Sequence, residues 1–282
     1  MTLKIGHLGP TGTYSEAAAL AYARAKLAGV ESCLQPYPNI AQTLKAVAAK
    51  EVALAIVPVE NSIEGGVTMT ADTIWQLVAS LQIQQAIVLP IHHALVSVAE
   101  DLSHIETVYS HPQALSQCQL WLQQHLPQAV RIADNSTTAA LATLAANPQA
   151  AAISSVRAAN LYQLPVLVRS INDYPDNQTK FWAISLQPTL AGNRTSVAFS
   201  LRSNTPGGLV TALGFFANRG LNLSRVESRP SKRSLGDYLF FIDIETDRYN
   251  CRQLKSALAD LDAYAETVKN FGSYDTTIIE VL

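Results

Sequence analysis

Short apolar, β-rich runs alternate with alanine-rich helical patterns in the N-terminal part of the chain. The stretches KIGHLG, SEAAALAYARAKLA, SCLQPY, NIAQTLKAVAAK and VALAIV follow one another in that order. They predict β-α-β-α-β, an order typical of a parallel sheet. Further runs predict a second α/β unit, namely IVLPIHHALVSV, ETVYSH, a helix from about Pro112 to His125, AVRIADN and STTAALATLAA.

A linker signal follows the strand TKFWAISLQ, because PTLAGNR supplies proline, glycine and asparagine in succession. We place the domain boundary near Gly192, between a domain over residues 1–188 and one over 195–282. The second domain reads TSVAFSLRS, a helix from about Gly207 to Arg219, LSRVESRP, YLFFIDIE, CRQLKSALADLDAYA and VKNFGSYD. This βαββαβ order predicts a ferredoxin-like sandwich.

Composition narrows the possible functions. Charged residues make up 15% of the chain and the formal net charge is -2, so we expect no broad basic face for nucleic acid. The start, MTLKIGHLGP, lacks the pattern of a secretory signal, and no run is long enough to cross a membrane. The widely spaced cysteines fit no disulfide framework or metal site, and we expect them reduced and mostly buried. These features favour a cytoplasmic protein that acts on a small molecule.

Two polar segments lie at predicted strand ends, where open α/β sheets place ligands. GPTGTYSE joins the first strand to the first helix, and the start of that helix offers unpaired N–H groups to an anion. The alternative is a capping box formed by Thr13 and Glu16. PVENSIEGG follows the third strand. Its alternative interpretation is a turn in which Glu60 and Ser62 satisfy backbone groups.

Three further polar segments have the same ambiguity. SHPQALSQC, NSTTAA and NDYPDNQTKF each put hydroxyl, amide or imidazole groups beside a predicted strand. Each also suits a helix cap or an ordinary strand start. The sequence contains no phosphate-binding loop of the Walker type, no dinucleotide fingerprint and no metal-ligand spacing. We therefore expect neither a metal nor an organic cofactor.

Taken in order, GPTGTYSE, VPVENSIEGGV, SHPQALSQC, NSTTAA, AAISSVRAANLY and NDYPDNQTKF resemble the successive motifs of prephenate dehydratase, and the second domain resembles an ACT domain. The resemblance covers nearly the whole chain. It implies two α/β subdomains around a cleft, like a type II periplasmic binding protein, followed by a ferredoxin-like ACT domain. It also implies the conversion of prephenate to phenylpyruvate, with loss of CO2 and water, in L-phenylalanine biosynthesis. No chorismate mutase segment precedes Met1 or follows Leu282, so we expect a monofunctional enzyme.

The resemblance also implies site residues. The essential threonine of the family's Thr-Arg-Phe motif maps to Thr179, which we interpret as hydrogen-bonding the departing hydroxyl, with Glu60 as a candidate for the neighbouring acid. This motif reads TKF, so Lys180 keeps the charge of the usual arginine but not its planar fork, and we include it in the catalytic set. The implied substrate-binding residues are Thr11, Thr13, Asn61, Ser62, Ser110, His111, Gln113, Ser136, Thr137, Asn177 and Phe181.

The resemblance further implies that L-phenylalanine binds between paired ACT domains, through Gly-Ala-Leu-Val and Glu-Ser-Arg-Pro motifs. The second motif is intact, whereas the first has Gly208 in place of alanine. The implied effector-binding residues are Asn204, Pro206, Gly207, Gly208, Leu209, Val210, Asn222, Leu223, Glu227, Ser228, Arg229 and Pro230. A ligand that contacts two chains implies a homodimer or a homotetramer.

Two alternatives stay open at this point. Arogenate dehydratase would use the aminated substrate on the same scaffold, and the sequence offers no residue that separates the two activities. A non-catalytic phenylalanine sensor would retain the cleft as a relic. The departures at Lys180 and Gly208 motivate that second alternative.

Overall fold

The computed structural model describes residues 2–77, 81–247 and 249–279. The first subdomain contains β1 (Leu3–Leu8), α1 (Tyr14–Lys26), β2 (Ser32–Tyr37), α2 (Ile40–Ala48), β3 (Leu54–Asn61), β4 (Gly65–Gly66), α3 (Thr68–Gln76) and β5 (Gln82–Pro90). The second contains β6 (Ala94–Val96), β7 (Thr107–Ser110), α4 (Pro112–Gln117), α5 (Gln119–His125), β8 (Val130–Ala133), α6 (Leu141–Leu144), β9 (Ala150–Ser154), α7 (Val156–Leu161) and β10 (Val166–Val168). The chain then returns to the first sheet through β11 (Gln178–Ser185) and continues as β12 (Arg194–Ser200), α8 (Gly208–Ala217), β13 (Leu223–Pro230), β14 (Tyr238–Glu245), α9 (Cys251–Tyr264) and β15 (Thr267–Ile278).

Two sheets form the two subdomains. The first runs β5-β11-β3-β1-β2, and the second runs β10-β6-β9-β7-β8. β1 is parallel to both of its neighbours, while β11 is antiparallel to β3 and β5 because it re-enters the sheet from the second subdomain. The polypeptide therefore crosses between the subdomains twice, after β5 and after β10. The predicted two-subdomain fold, of the type II periplasmic-binding-protein kind, is confirmed.

The C-terminal residues form the predicted βαββαβ unit. Its sheet runs β13-β14-β12-β15, and α8 and α9 cover one face through an apolar core that includes Phe199, Phe216 and Leu261. The opposite face packs against the first subdomain, where Phe241 shares a core with Trp182. The ferredoxin-like order predicted for this part of the chain is confirmed.

β15 joins the two sheets. It pairs antiparallel with β12, and its last residues, 275–278, pair parallel with 85–88 of β5. The described strands therefore form a ten-stranded sheet that runs through both parts of the molecule. The proposed division into residues 1–188 and 195–282 stays a prediction. It follows the order of the chain, whereas β15 pairs with strands on both sides of the proposed boundary.

Three local predictions were wrong. The helix predicted from Pro112 to His125 is broken at Cys118 into α4 and α5, and the carboxylate of Asp173 accepts hydrogen bonds from the first amides of α5. The helix predicted from STTAALATLAA is only the short α6, since Ser136 Oγ accepts from the amides of residues 138 and 139 in a turn. Of the cysteines, only Cys118 is buried.

Within the described residues, no helix has both the length and the apolar character needed to cross a membrane.

A charged contact holds β13 against α3. Asp72 on α3 accepts two hydrogen bonds from Arg229, at 3.1 and 3.2 Å, and one from Lys232 at 2.6 Å. Burial acts to raise the pKa of Asp72, but the hydrogen bonds and charges of Arg229 and Lys232 together outweigh it and lower the pKa. The ionised carboxylate therefore stabilises this interface.

We predict that Asp72→Asn destabilises the protein by about 1 kcal/mol at pH 7. Because the folded pKa is depressed, the stabilisation is present above the unfolded value of about 3.9 and is lost as pH falls through the lower folded value. Thermal unfolding midpoints of wild type and variant should therefore converge below about pH 4. Asp262→Asn, an exposed change on α9, is the control. A difference that persists unchanged in acid would contradict the prediction.

Candidate functional site

A cavity of about 270 Å³ lies between the two subdomains. The ends of β1, β3 and β11 and the start of α1 line it from one side, and α4 and the turn at 135–137 line it from the other. Eight predicted site residues are among those that line it: Thr13, Asn61, His111, Gln113, Ser136, Thr137, Thr179 and Phe181. The fold therefore brings together segments that are far apart in the sequence.

Asn61 holds Thr179 in one orientation. The Asn61 Oδ1 atom accepts hydrogen bonds from the backbone amides of Ile63 and Glu64, at 3.0 and 3.1 Å, so its Nδ2 must be the donor toward the cleft. That Nδ2 lies 2.9 Å from Thr179 Oγ1. Because the threonine oxygen accepts this bond, its own hydrogen is free to point at a ligand.

The hydrogen-bond chain continues into the second subdomain. Asn61 Nδ2 also lies 2.8 Å from Asn177 Oδ1, and Asn177 Nδ2 donates to Gln117 Oε1 at 2.9 Å. Gln117 belongs to α4, whereas Asn177 precedes β11. This chain of amides fixes the two walls of the cleft relative to each other, and it requires Asn177 at its centre.

His93 ends this chain and was not predicted as a site residue. Its Nε2 lies 3.0 Å from Gln117 Oε1, and because an amide oxygen only accepts, His93 must carry its proton on Nε2. Burial lowers the pKa of His93 to about 4, so the ring is neutral near pH 7. Among the described residues its Nδ1 has no hydrogen-bond partner. His93 therefore lies beside the cleft as a neutral ring whose Nδ1 is buried.

Glu60 and Lys180 lie on the other face of the same two strands. Successive side chains of a strand alternate, so the facing pair Thr179 and Asn61 points into the cleft while the facing pair Lys180 and Glu60 points away. Lys180 Nζ lies 2.6 Å from Glu60 Oε2. The predicted catalytic roles of these two residues do not fit this placement. The alternation of the strand is the physical reason.

The other predicted binding residues have mixed positions. Ser110 is buried and its hydroxyl donates to the carbonyl of Ile153 at 2.7 Å, which links β7 to β9. Thr11 is exposed and is not among the residues that line the cavity. Ser62 accepts from the Gln178 amide at 2.9 Å and supports the return of the chain into β11. These three residues support the walls of the cleft or lie beside it.

The described side chains that line this cavity include no carboxylate, lysine or arginine. The start of α1 compensates, because the first-turn amides of a helix have no intrahelical acceptors and attract anions. Thr13 caps that helix, and Glu16 accepts from the Gly12 amide at 2.8 Å. The Thr13 cap and the cleft-lining role therefore coexist, while the Glu16 half of the predicted capping box reaches the amide of Gly12 in place of that of Thr13.

A second cavity, of about 540 Å³, continues the cleft past Asn61 and His111. Glu64 lines it and accepts from Gln117 Nε2 at 3.5 Å. This carboxylate belongs to the PVENSIEGG stretch but was not predicted as a site residue. It is the acidic side chain that this stretch contributes to the cleft, in place of Glu60.

Comparison with known proteins decides the family. A family model described as prephenate dehydratase matches residues 5–189, and one described as ACT domain matches residues 195–261. The chain belongs to the prephenate dehydratase family. The bifunctional chorismate mutase/prephenate dehydratase of Aquifex aeolicus is 36% identical over 99% of this chain and 75% of its own length. The prephenate dehydratase of Lactococcus lactis subsp. cremoris is 33% identical over 96% of this chain and 97% of its own.

A solved relative has the same fold. The crystal structure of prephenate dehydratase from Arthrobacter aurescens in complex with L-Phe matches with a TM-score of 0.86 and 36% identity. The match covers 97% of this chain and 90% of that one. Both parts of the molecule are therefore shared with a protein of this family.

The residues predicted to bind the effector form two groups in the ACT domain. Asn204, Pro206 and the Gly207–Val210 segment lie at the start of α8, and Gly207 there has a φ of 80°. Leu223 and Glu227–Pro230 lie on β13, and Asn222 directly precedes it. The side chains of Glu227 and Arg229 face the first subdomain, because the Glu227 carboxylate lies against Gly66 and Arg229 contacts Asp72.

We predict that His93→Gln removes a pH dependence of stability. The folded pKa is about 4 and the unfolded value is about 6.5, so between them the unfolded chain binds a proton that the folded chain does not. Wild type should lose about 2 kcal/mol more than the variant between pH 7 and pH 5. Unfolding midpoints measured across this range test it, with His125→Gln as an exposed control. Parallel pH profiles of wild type and His93→Gln would contradict the prediction.

Proposed function

We propose that this chain converts prephenate to phenylpyruvate, with release of CO2 and water, and that L-phenylalanine binding to the ACT domain reduces this activity. The observation that carries the proposal is family membership across both domains, combined with a cleft in which Thr179 has a free hydroxyl hydrogen. The bound L-Phe of the Arthrobacter aurescens relative supports the regulatory part.

The cleft has groups for each chemical requirement. In the reaction the bond from the ring to its carboxylate breaks, the electron pair enters the ring, and the opposite C–O bond breaks. The departing oxygen takes up one proton and leaves as water. Thr179 donates a hydrogen bond to that oxygen as its charge develops. The first-turn amides of α1 are the site for the carboxylate that the product retains.

Apolar side chains favour the loss of CO2. Leu8, Pro58, Ile91 and Phe181 all line the cavity. A carboxylate held against such surfaces loses hydration that neutral CO2 does not need, so the apolar wall favours product formation. The reacting carboxylate therefore faces these residues, while the other carboxylate faces α1.

The same proposal includes an assembly. An effector held between ACT domains of two chains requires a homodimer or a homotetramer. Val210 and Val226 of the ACT domain are 74% and 48% exposed in the single chain, and such apolar side chains suit a protein contact. Analytical ultracentrifugation with and without L-phenylalanine tests this part, and a monomer under both conditions would exclude it.

The activity itself is tested with purified protein by phenylpyruvate formation from prephenate and, in parallel, by L-phenylalanine formation from arogenate, and L-phenylalanine is added to half of the prephenate samples. Turnover of prephenate that L-phenylalanine suppresses supports the whole proposal. Turnover of arogenate alone would replace it with arogenate dehydratase. Phenylalanine binding without turnover of either substrate would indicate a sensor.

We predict that Thr179→Ala lowers kcat by at least about a hundredfold, because the hydrogen bond to the departing oxygen is lost. The fold and phenylalanine binding should be retained, since the side chain is small and lies in the cleft. Thr107→Ala on β7 is the matched control and should leave kcat unchanged. Steady-state kinetics provide the measurement. Wild-type kcat in Thr179→Ala would remove this residue from its proposed role.

We predict opposite effects at two adjacent glycines of α8. A β-carbon at Gly208 would lie at ordinary contact distances, 3.4 Å from Leu201 and 3.5 Å from Thr205, so Gly208→Ala should stabilise the protein by up to about 1 kcal/mol. Gly207→Ala should destabilise it by about 1 kcal/mol, because its φ is 80°. Thermal unfolding measures both. Equal shifts for the two variants would contradict the account.

The Gly208→Ala variant also tests the effector site. It restores the Gly-Ala-Leu-Val motif to which the family resemblance assigns phenylalanine binding, so inhibition by L-phenylalanine should be kept or strengthened. A titration of activity against L-phenylalanine gives the result. Loss of inhibition in this variant would contradict the prediction, because it would show that the start of α8 does not tolerate the family's alanine.

A further inference from the structure

Five charged side chains meet between the first subdomain and the ACT domain. We name them the interdomain charge cluster; its members are Glu60, Lys180, Arg225, Glu227 and Asp243. Lys180 Nζ lies 2.6 Å from a carboxylate oxygen of Glu60 and 3.8 Å from one of Asp243. Arg225 lies 3.9 Å from the same Asp243 oxygen and also pairs with Glu227. The cluster therefore connects β3 and β11 to β14 and β13.

The centre of the cluster is shielded from water. The side chains of Arg225 and Asp243 are 6% and 4% exposed. The other Asp243 oxygen accepts from Ser196 at 2.6 Å, and the Arg225 guanidinium lies over the Trp182 ring on β11. Charges in such a setting interact more strongly than at a surface, and a charge left without its partner is costly. A substitution or a new contact at one member of the cluster therefore changes the electrostatic interactions of the other members.

On the side of the first subdomain, the residues of the cluster are adjacent in sequence to residues that line the cleft. Glu60 precedes Asn61, and Lys180 follows Thr179. On one face of the β3–β11 pair Asn61 donates to Thr179, and on the opposite face Lys180 donates to Glu60. The register between these strands shifts directly after Lys180, so the ion pair lies where the strand pairing is least regular. Lys180 and Glu60 are thus positioned to fix the geometry of the Asn61–Thr179 hydrogen bond.

The regulatory side of the cluster includes a motif residue. Glu227 belongs to the Glu-Ser-Arg-Pro sequence and packs so closely on β4 that a β-carbon at Gly66 would collide with its carboxylate. Gly66 itself pairs with Glu60. An amino-acid effector carries an ammonium group, and any such group that engages Glu227 competes with Arg225. The released Arg225 would then turn to Asp243 and weaken the hold of Asp243 on Lys180.

We propose that Lys180 is a positioning residue that connects the ACT domain to Thr179 through the interdomain charge cluster. This inference rests on the proposed function, both for the reaction and for the binding of L-phenylalanine to the ACT domain. A lysine suits this task because a compact ammonium can face two carboxylates on different strands, with no planar fork to align. Lys180 acts on the substrate only through the orientation of Thr179.

Lys180→Met tests the proposal, with Lys180→Arg as the charge-keeping variant. Lys180→Met should lower kcat about tenfold with KM changed less than about twofold, because Thr179 is misoriented while the binding groups are intact. L-Phenylalanine should still bind, as measured by calorimetry, but the inhibition it causes should fall by at least about fivefold. Lys180→Arg should restore both kcat and inhibition. Wild-type kcat and inhibition in Lys180→Met would overturn the proposal.

Lys269→Met is the matched control. Lys269 also crosses between the ACT domain and the first subdomain, but its ammonium donates to the carbonyls of Trp75 and Leu77, at 2.6 and 2.9 Å, and to no carboxylate of the described residues. Its replacement should lower stability without changing inhibition. Equal loss of inhibition in Lys269→Met and Lys180→Met would overturn the proposal, because it would show that any weakening of the interface between the domains has this effect.

Two further measurements keep the test decisive. If Lys180→Met does not fold, Asp243→Asn removes the other end of the contact and should give the same loss of inhibition; full inhibition there would overturn the proposal. Hydrogen exchange of residues 178–185 needs no turnover, and calorimetry shows independently whether L-phenylalanine binds, so failure of this inference is distinguishable from failure of the proposed function. L-Phenylalanine should change exchange in this segment in wild type and not in Lys180→Met. Unchanged exchange in wild type that calorimetry shows to bind L-phenylalanine would overturn the proposal.

Discussion

The antiparallel pairing of β3 with β11 is the constraint on which the functional arrangement depends. It sets Asn61 opposite Thr179 and Glu60 opposite Lys180. Because side chains alternate along a strand, two adjacent residues of β11 face two different parts of the molecule. Thr179 faces the cleft, and Lys180 faces the ACT domain. A shift of one residue in this register would exchange the two faces and remove both arrangements together.

Charged side chains are largely kept away from the cavity that contains Thr179. Hydroxyls, amides and imidazoles line that cavity, together with the start of α1, and Glu64 lines its continuation. The charged side chains next to them in sequence lie instead between the domains. Buried ion pairs add little stability once the loss of hydration is counted, but breaking one is costly. The interdomain charge cluster is therefore better suited to specifying one relative arrangement of the domains than to holding them tightly, and β15 supplies the backbone hydrogen bonds that do hold them.

Much of the fold could be predicted from the sequence because local patterns determine it. Alternating strand and helix periodicities gave both α/β units and the βαββαβ order. The break at Cys118 could not be predicted, since the acceptor for the amides of α5 is Asp173, more than fifty residues away in the chain. The pairing of β15 with β5 is also a long-range contact that no local pattern encodes.

The residues of the candidate site were likewise predictable from the sequence only in part. Motifs identified Thr179 and Asn61, whereas the positions of Glu60 and Lys180 were assigned by type of residue and not by strand face. The alternation rule, applied to VEN and QTKF, would have separated the two pairs. His93 and Gln117 gave no such signal, because their roles depend on the chain crossing twice between the subdomains.

The most direct test of the account is a crystal structure of the Thr179→Ala variant with prephenate bound. The account predicts that prephenate lies between the subdomains with its ring hydroxyl within hydrogen-bond distance of the position vacated by the Thr179 hydroxyl. Lys180 should remain bound to Glu60 on the far side of the sheet. A structure in which Lys180 turns into the cleft and contacts a carboxylate of prephenate would contradict the assignment of Thr179 and Lys180 to opposite faces.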